Sequence, residues 1–279
     1  MKAPGQLRAW LVLARASNLP TVWSNCIAGC WLGGWNSWAT VLLLCTAGSL
    51  FYIGGMFLND LCDVAFDRQY KPDRPIVAGA VTPRAVVAAA IVLPCAGLLL
   101  ALAIKPNVLL WGAILVVVIT AYDILHKRIA WAPLLMATCR FLLYLMAAAA
   151  GVLGLTPRAL GFALALALYV VGLSYLARGE SRVRRTSSFW LLLLFAPVAA
   201  GFYFDSTPVA LLCALPLLLW IWRAFVLAKQ SAGRPVSVLL AGIVLVDLLA
   251  ISPTSLLPWL GFAALFGAAL LFQRYVPAT

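Results

Sequence analysis

Asn59-Asp60-Leu61-Cys62-Asp63-Val64-Ala65-Phe66-Asp67-Arg68 gathers three carboxylates and a carboxamide in one short stretch. The chain has only eight Asp and Glu in all, so a cluster of three needs a physical reason. On a helix turning about 100° per residue, Asp60, Asp63 and Asp67 lie within about 60° of arc and about 10 Å of axis. Like charges that close repel, and the end of an apolar segment is a costly place to desolvate them. A divalent cation removes both objections. The donors Asn59, Asp60, Asp63 and Asp67 are all oxygen, without His or Cys. Such a set suits Mg2+, which takes one or two carboxylates and completes its shell with substrate phosphates. Arg68, Lys71 and Arg74 follow directly. Acids for a metal beside cations for phosphate oxygens point to a diphosphate substrate. The competing reading is a solvated helix end whose charges face water.

Two other places carry charge where it is unexpected. Tyr122-Asp123-Ile124-Leu125-His126-Lys127 closes an apolar run. Asp123 and Lys127, four residues apart, make either a helix-end ion pair or a pair of substrate ligands, with Lys127 the catalytic cation. His126 is the only histidine, and it reads as a polar cap at a helix end. Arg140 sits inside an apolar run, where an isolated charge is functional by default. Its expected partner is a diphosphate or an internal acid.

The elements that hold these groups are legible from composition. Of 279 residues, 65% are hydrophobic and 10% charged. A soluble domain carries roughly a quarter charged residues, so a soluble enzyme and a disordered chain are both excluded. The apolar runs are continuous, not alternating, which excludes an outer-membrane barrel. The expectation is an all-α polytopic bundle of nine or ten spans at 9–33, 39–58, 85–104, 107–122, 132–153, 157–177, 188–204, 207–227, 236–251 and 255–274. It forms one membrane domain, 1–279, around a central cavity. Seventeen of the 20 Lys and Arg fall on one side of such a layout. The positive-inside rule makes that side cytoplasmic and puts the N-terminus there. The net charge of +12 therefore reports topology and not nucleic-acid binding. Cytoplasmic loops 59–84, 123–131 and 178–187 would cap the cavity. No short apolar segment with a cleavage site opens the chain, so no cleaved signal is expected. The seven cysteines are expected as small buried residues, free of disulfides and metal.

These residues also carry a resemblance. Asn59-Asp60-x-x-Asp63-x-x-x-Asp67-Arg68, followed by Arg74-Pro75-Ile76 and Gly79, resembles the first aspartate-rich motif of the UbiA-type membrane prenyltransferases. Arg15-x-x-Asn18-x-x-Thr21-x-x-x-Asn25-x-x-Ala28-Gly29 is similar to the family's opening helix, with its Arg and inward Asn. The likeness extends to the span layout of most of the chain. It implies an intramembrane enzyme in the plasma (inner) membrane of a bacterium. Mg2+-assisted ionisation of an allylic prenyl diphosphate would be followed by capture on a small hydrophobic acceptor, aromatic or quinone-like. The tail would leave sideways into lipid, and Asp63 or Asp67 would help to accept the acceptor's proton. Arg15, Asn25, Asn59, Arg68, Lys71, Arg74, Asp123, Arg140 and Tyr175 would then bind substrate.

The sequence departs from the family at the second aspartate motif. The loop after the sixth span reads Tyr175-Leu176-Ala177-Arg178-Gly179-Glu180-Ser181-Arg182, with one acid where the family has DxxxD. Arg178 and Arg182 would replace the charge of a second metal, with Glu180 as their partner or a remaining ligand. This combination resembles the UbiA-like EboC branch. The same loss also permits a non-catalytic member that binds or transports a prenyl lipid. An unrelated transporter would place its acids at a midplane helix break instead. A CDP-alcohol phosphotransferase would need an Asp-Gly dipeptide, and the chain has none.

Overall fold

The structure is a computed structural model that describes residues 6–181, 188–205, 207–228 and 234–276. Among these residues its only regular secondary structure is helix. In chain order the helices are α1 (Gln6–Leu13), α2 (Leu19–Leu32), α3 (Trp38–Cys62), α4 (Val64–Tyr70), α5 (Pro83–Ile104), α6 (Pro106–Leu125) and α7 (Ala132–Ala150). They continue with α8 (Pro157–Ser181), α9 (Ser188–Leu192), α10 (Ala196–Phe204), α11 (Pro208–Ala228), α12 (Arg234–Ile251) and α13 (Leu256–Tyr275). Seven described helices are long and apolar enough to cross a bilayer, and 189–204 and 235–251 are shorter apolar segments. The starts follow local chemistry. Ser37 caps α3 by accepting from the Thr40 amide at 3.1 Å, and Thr82 caps α5 ahead of Pro83. Proline at a first helical position loses nothing, because that amide has no intrahelical partner.

The first expected span, 9–33, is not one helix. α1 ends at Leu13, Arg15 takes the left-handed conformation (φ 43°, ψ 49°), and a 3-10 turn at Ala16–Asn18 leads into α2. Pro20 is the local cause: it has no amide for the Ala16 carbonyl, and its ring crowds the preceding turn. The span expected at 188–204 is likewise divided by a 3-10 turn, Leu193–Phe195, ahead of Pro197. In the other direction, residues 59–70 are helical, not loop. α3 runs to Cys62, and α4 resumes after a junction at Asp63.

Small residues let the helices approach. A Cβ at Gly54 of α3 would stand 2.6 Å from Pro94 Cγ of α5, and one at Gly29 of α2 would stand 2.7 Å from the Tyr144 carbonyl of α7. Lipid supplies no hydrophobic drive between helices, so close backbone approach carries the packing. Tyr144 and Tyr169 are fully buried at the centre, while Leu42, Ile91, Leu99, Val117, Leu219 and Leu260 face outward. All seven cysteines are free, with Cys26, Cys30 and Cys213 buried; Cys62 and Cys95 are exposed, against expectation.

Candidate active site

The break after α1 aims one cation. A left-handed backbone at a non-glycine residue costs about 1 kcal/mol. Here it turns the Arg15 guanidinium onto the last turns of α3. Arg15 donates to Asn59 Oδ1 at 3.1 Å, Asp60 Oδ1 at 3.3 Å and Met56 Sδ at 3.3 Å. From the opposite side Arg74 stands 3.8 Å from Asp60 Oδ2. That oxygen is buried and accepts no hydrogen bond. Asn59 spends its amide on Asp123 Oδ1 at 3.1 Å, which leaves Asp123 Oδ2 buried without a bond.

Asp63 has a different environment. Lys127 Nζ lies 2.6 Å and His126 Nε2 3.3 Å from its Oδ1, and Lys127 also covers the Phe66 ring at 4.0 Å. Burial would raise the Asp63 carboxyl, but the bonds and charges of His126 and Lys127 outweigh it and hold it below its usual range. The hydrogen bond with Asp63 raises His126 above its usual value against the effect of burial. Of the two readings of Asp123 and Lys127, the helix-end ion pair is not formed: Lys127 reaches across to the α3–α4 junction. Asp67 is buried, and Arg68 is exposed on α4.

The Asp63–His126 pair makes stability pH-dependent in a stated direction. The His126 contribution is complete below the ordinary histidine pKa and is lost as pH rises through the raised one. The Asp63 contribution is present above the ordinary carboxylate range and is lost as pH falls through the lowered pKa. Thermal midpoints should therefore fall as pH rises past the ordinary histidine range and through the raised His126 value. His126→Gln should flatten that limb, and an unchanged limb would show that the contact contributes nothing.

Below these groups lies a cavity of about 460 Å3. Arg15, Asn59, Lys71, Arg74, Asp123 and His126 surround its mouth, and Phe51, Leu115, Ile119, Leu143 and Ile243 line its walls. Arg140 reaches it deeper, from α7. Arg140 donates to Asn25 Oδ1 at 2.8 Å, Thr21 Oγ1 at 3.0 Å and the Thr21 carbonyl at 3.3 Å. Asn25 passes the charge on to Asp247 Oδ2 at 2.7 Å, which also accepts from Ser24 Oγ at 2.5 Å. The partner of Arg140 is thus an internal acid reached through an amide, and Asn25 supports Arg140 from behind the cavity wall. Asp247 escaped the sequence reading. Its signal was present: an acid inside an apolar run deserves the same suspicion as Arg140. Tyr175 stacks on Trp190 at 3.9 Å and is not part of the lining. The side chains of Arg178 and Glu180, and the whole of Arg182, lie outside the described residues.

The expected donor set Asn59, Asp60, Asp63 and Asp67 does not form a closed cage. Among the described residues no three His, Cys, Asp or Glu come together as a ready metal cluster. The free oxygens of Asp60 and Asp123 beside Asn59 fit an ion that takes one or two carboxylates and leaves its other positions to phosphate oxygens.

Known proteins agree with this architecture. The model of the UbiA prenyltransferase family matches residues 17–237. Digeranylgeranylglyceryl phosphate synthase of Ignicoccus hospitalis is 39% identical over 106 residues, 38% of this chain and 35% of that protein. The match thus spans about a third of that relative's length. A solved structure of a digeranylgeranylglyceryl phosphate synthase superimposes with a TM-score of 0.64 at 17% identity, covering 95% of this chain and 99% of that one. A UbiA homologue of Aeropyrum pernix K1 gives 0.53 at 19% identity, covering 96% of each chain. One of Archaeoglobus fulgidus, bound to GPP and Mg2+, gives 0.52 at 18%, covering 96% of this chain and 97% of that one. The likeness of these structures is one of fold. With the family model spanning most of the chain, the protein belongs to the UbiA prenyltransferase family.

Proposed function

We propose that this prenyltransferase binds an allylic prenyl diphosphate with Mg2+ at the mouth of the α3 cavity and transfers the prenyl group to a small hydrophobic acceptor. The observation that carries the proposal is the buried Asp60 carboxylate. One oxygen is held by Arg15, the other is unbonded, and both lie beside cations above an apolar cavity. Asp60 and Asp123, beside Asn59, are the residues that would hold Mg2+; Asp63 is engaged by Lys127 and His126, so the expected set Asn59, Asp60, Asp63 and Asp67 does not close around one ion. Bound there, Mg2+ supplies Lewis-acid stabilisation of charge on the departing diphosphate. Arg15, Lys71 and Arg74 clamp the diphosphate oxygens, so that charge developing during C–O cleavage meets fixed cations. Phe51, Leu115, Ile119 and Leu143 keep water from the allylic carbon. Asp63, held low by two cations, is a poor base, which leaves Asp67 as the better candidate for the acceptor's proton. Lys127 acts by positioning Asp63.

The enzyme would sit in the plasma membrane of a bacterium, with its mouth and N-terminus cytoplasmic. Lys105 and Arg158, the two cations expected at the opposite face, anchor loops there: Lys105 Nζ donates to the Gly151 carbonyl at 2.8 Å and Arg158 pairs with Asp205 at 3.5 Å. Helix α4, the 71–82 connection and the 126–131 connection would then cap the site, and residues 182–187 of the third expected loop lie outside the described residues. Arg178 and Arg182, with Glu180, stand in for the absent second carboxylate pair. On this reading Arg178→Ala with Arg182→Ala weakens prenyl diphosphate binding at least tenfold in a direct titration. Wild-type affinity would remove both residues from the site.

The test of the whole is purified protein in nanodiscs with geranyl, farnesyl and geranylgeranyl diphosphates, with and without Mg2+, following diphosphate release. A hydroxylated aromatic and a glycerol-phosphate lipid serve as acceptors in separate arms. Mg2+-dependent release with a prenylated product from the aromatic establishes the proposal as written. Product only from the glycerol-phosphate lipid replaces the acceptor class, and no release with any donor overturns it.

A further inference from the structure

Arg15 is held at both of its ends by one helix. Its guanidinium end meets Met56, Asn59 and Asp60 of α3. Its backbone end meets Tyr52, two turns earlier on the same helix: Tyr52 Oη donates to the Arg15 carbonyl at 3.5 Å. At 3.6 residues per turn, positions 52, 56, 59 and 60 fall within about 100° of arc. One face of α3 therefore presents all four groups to a single arginine. Between its two ends the side chain is not pinned, since Arg15 Nε is buried and makes no hydrogen bond.

The backbone end is the strained one. Arg15 is left-handed, with φ 43°, and a residue with a Cβ keeps that conformation only where its surroundings over-determine it. Two donors converge on its carbonyl: the Asn18 amide at 3.0 Å and the Tyr52 hydroxyl. The amide belongs to the local 3-10 turn and ties residue 15 to nothing beyond it. The hydroxyl ties the turn to α3. Asn18 Nδ2 donates to Tyr52 Oη at 3.1 Å, which turns the phenol proton toward the Arg15 carbonyl. Asn18 is buried, and its own carbonyl accepts from Thr21 Oγ1 at 2.7 Å, so the phenol is gripped from α2. Tyr52 lines the cavity beside Arg15 and Asn18. Its hydroxyl nevertheless already donates once and accepts once inside the protein, which leaves it a poor ligand for substrate.

Building on the prenyl diphosphate reading above, we propose that Tyr52 is a positioning residue: its hydroxyl holds the left-handed turn at Arg15, so that the guanidinium stands ready beside Asp60 when the diphosphate arrives. Without the hydroxyl, residue 15 relaxes toward an ordinary conformation and carries its side chain away from α3. A fixed cation stabilises developing charge without reorganising, so a loosened Arg15 costs affinity for the diphosphate. Tyr52 acts through Arg15 and not on the ligand.

Two readouts test this in the full chain in nanodiscs. The first needs no ligand: modification of Arg15 by phenylglyoxal, followed by peptide mass spectrometry, should be at least fivefold faster in Tyr52→Phe than in wild type. Arg140, which faces the same ring at 6.0 Å, should keep its rate within twofold, which separates a freed Arg15 from a loosened bundle. Asn18→Ala, which releases the phenol from its second bond, should move the Arg15 rate the same way and decides the matter if Tyr52→Phe does not fold. The second readout is the affinity for geranylgeranyl thiolodiphosphate with Mg2+. Tyr52→Phe should weaken it at least fivefold in the wild-type background and less than twofold when Arg15→Ala is already present. Equal Arg15 rates in wild type and variant overturn the proposal. An equal loss of affinity with and without Arg15 also overturns it, because Tyr52 would then touch the ligand itself. If wild-type protein binds no prenyl diphosphate, the reading beneath falls, while faster Arg15 modification in the variants still upholds the hold of Tyr52 on the turn.

Discussion

Asp60→Asn should cut Mg2+-dependent diphosphate release by about a hundredfold to a thousandfold, the range seen when one preorganised electrostatic partner of a transition state is lost. The side chain is buried, and its two oxygens face different partners: Arg15 holds one, and the other, near Arg74, accepts no hydrogen bond. Asparagine keeps the shape and removes the charge. Arg15 and Arg74 are then left without their anion, and a divalent ion loses its best-placed donor. The cations also lose their fixed positions, so prenyl diphosphate affinity should fall together with turnover. Asp73→Asn is the control: Asp73 lies in the same loop but is exposed, and its turnover should stay within twofold of wild type. Turnover of the Asp60 variant within tenfold of wild type would take this carboxylate out of the chemistry.

Asp247→Leu is expected to cause the largest loss of stability from a single replacement in the bundle, about 3 kcal/mol. Breaking a buried ionic arrangement on one side leaves the other charge uncompensated. Here Ser24, Asn25 and, through Asn25, Arg140 all lose the acceptor that organises α2, α7 and α12 around one point. Because the link is relayed through an amide, the loss falls at the low end of the range for direct pairs. The double variant Arg140→Met with Asp247→Leu should recover much of it, because replacing both charges with apolar groups removes the uncompensated one. Thermal midpoints of the two single variants and the double variant form the required cycle. Strict additivity would show that the two charges do not sense each other.

Much of this protein was legible along the chain because a bilayer leaves few options. Backbone polar groups must be satisfied within each segment, so apolar runs of about 20 residues become helices. Their order follows from where Pro, Gly and Lys or Arg interrupt them. The aspartate cluster was legible for a related reason: in a chain with eight acids, three within eight residues stand out against almost no background. Arg140 stood out in the same way.

Pairing was not legible. Spacing allowed Asp123 to pair with Lys127, because side chains four residues apart on a helix are neighbours. Asp123 instead faces Asn59, while Lys127 crosses to Asp63. The difference is set by how α6 lies against α3, a relation between helices that no spacing along one helix contains. The break at Arg15 behaves likewise. Pro20 announces an interruption in the sequence, but only the packed bundle shows that the interruption aims a guanidinium at Asp60. The class of structure and the inventory of charges could be read from the chain alone, because both follow from local composition and the cost of burying charge in lipid. Packing between helices settles which charges neutralise one another, which oxygens are left for a ligand, and which residues line the cavity. Those depend on distances between residues far apart in the chain, and packing sets such distances.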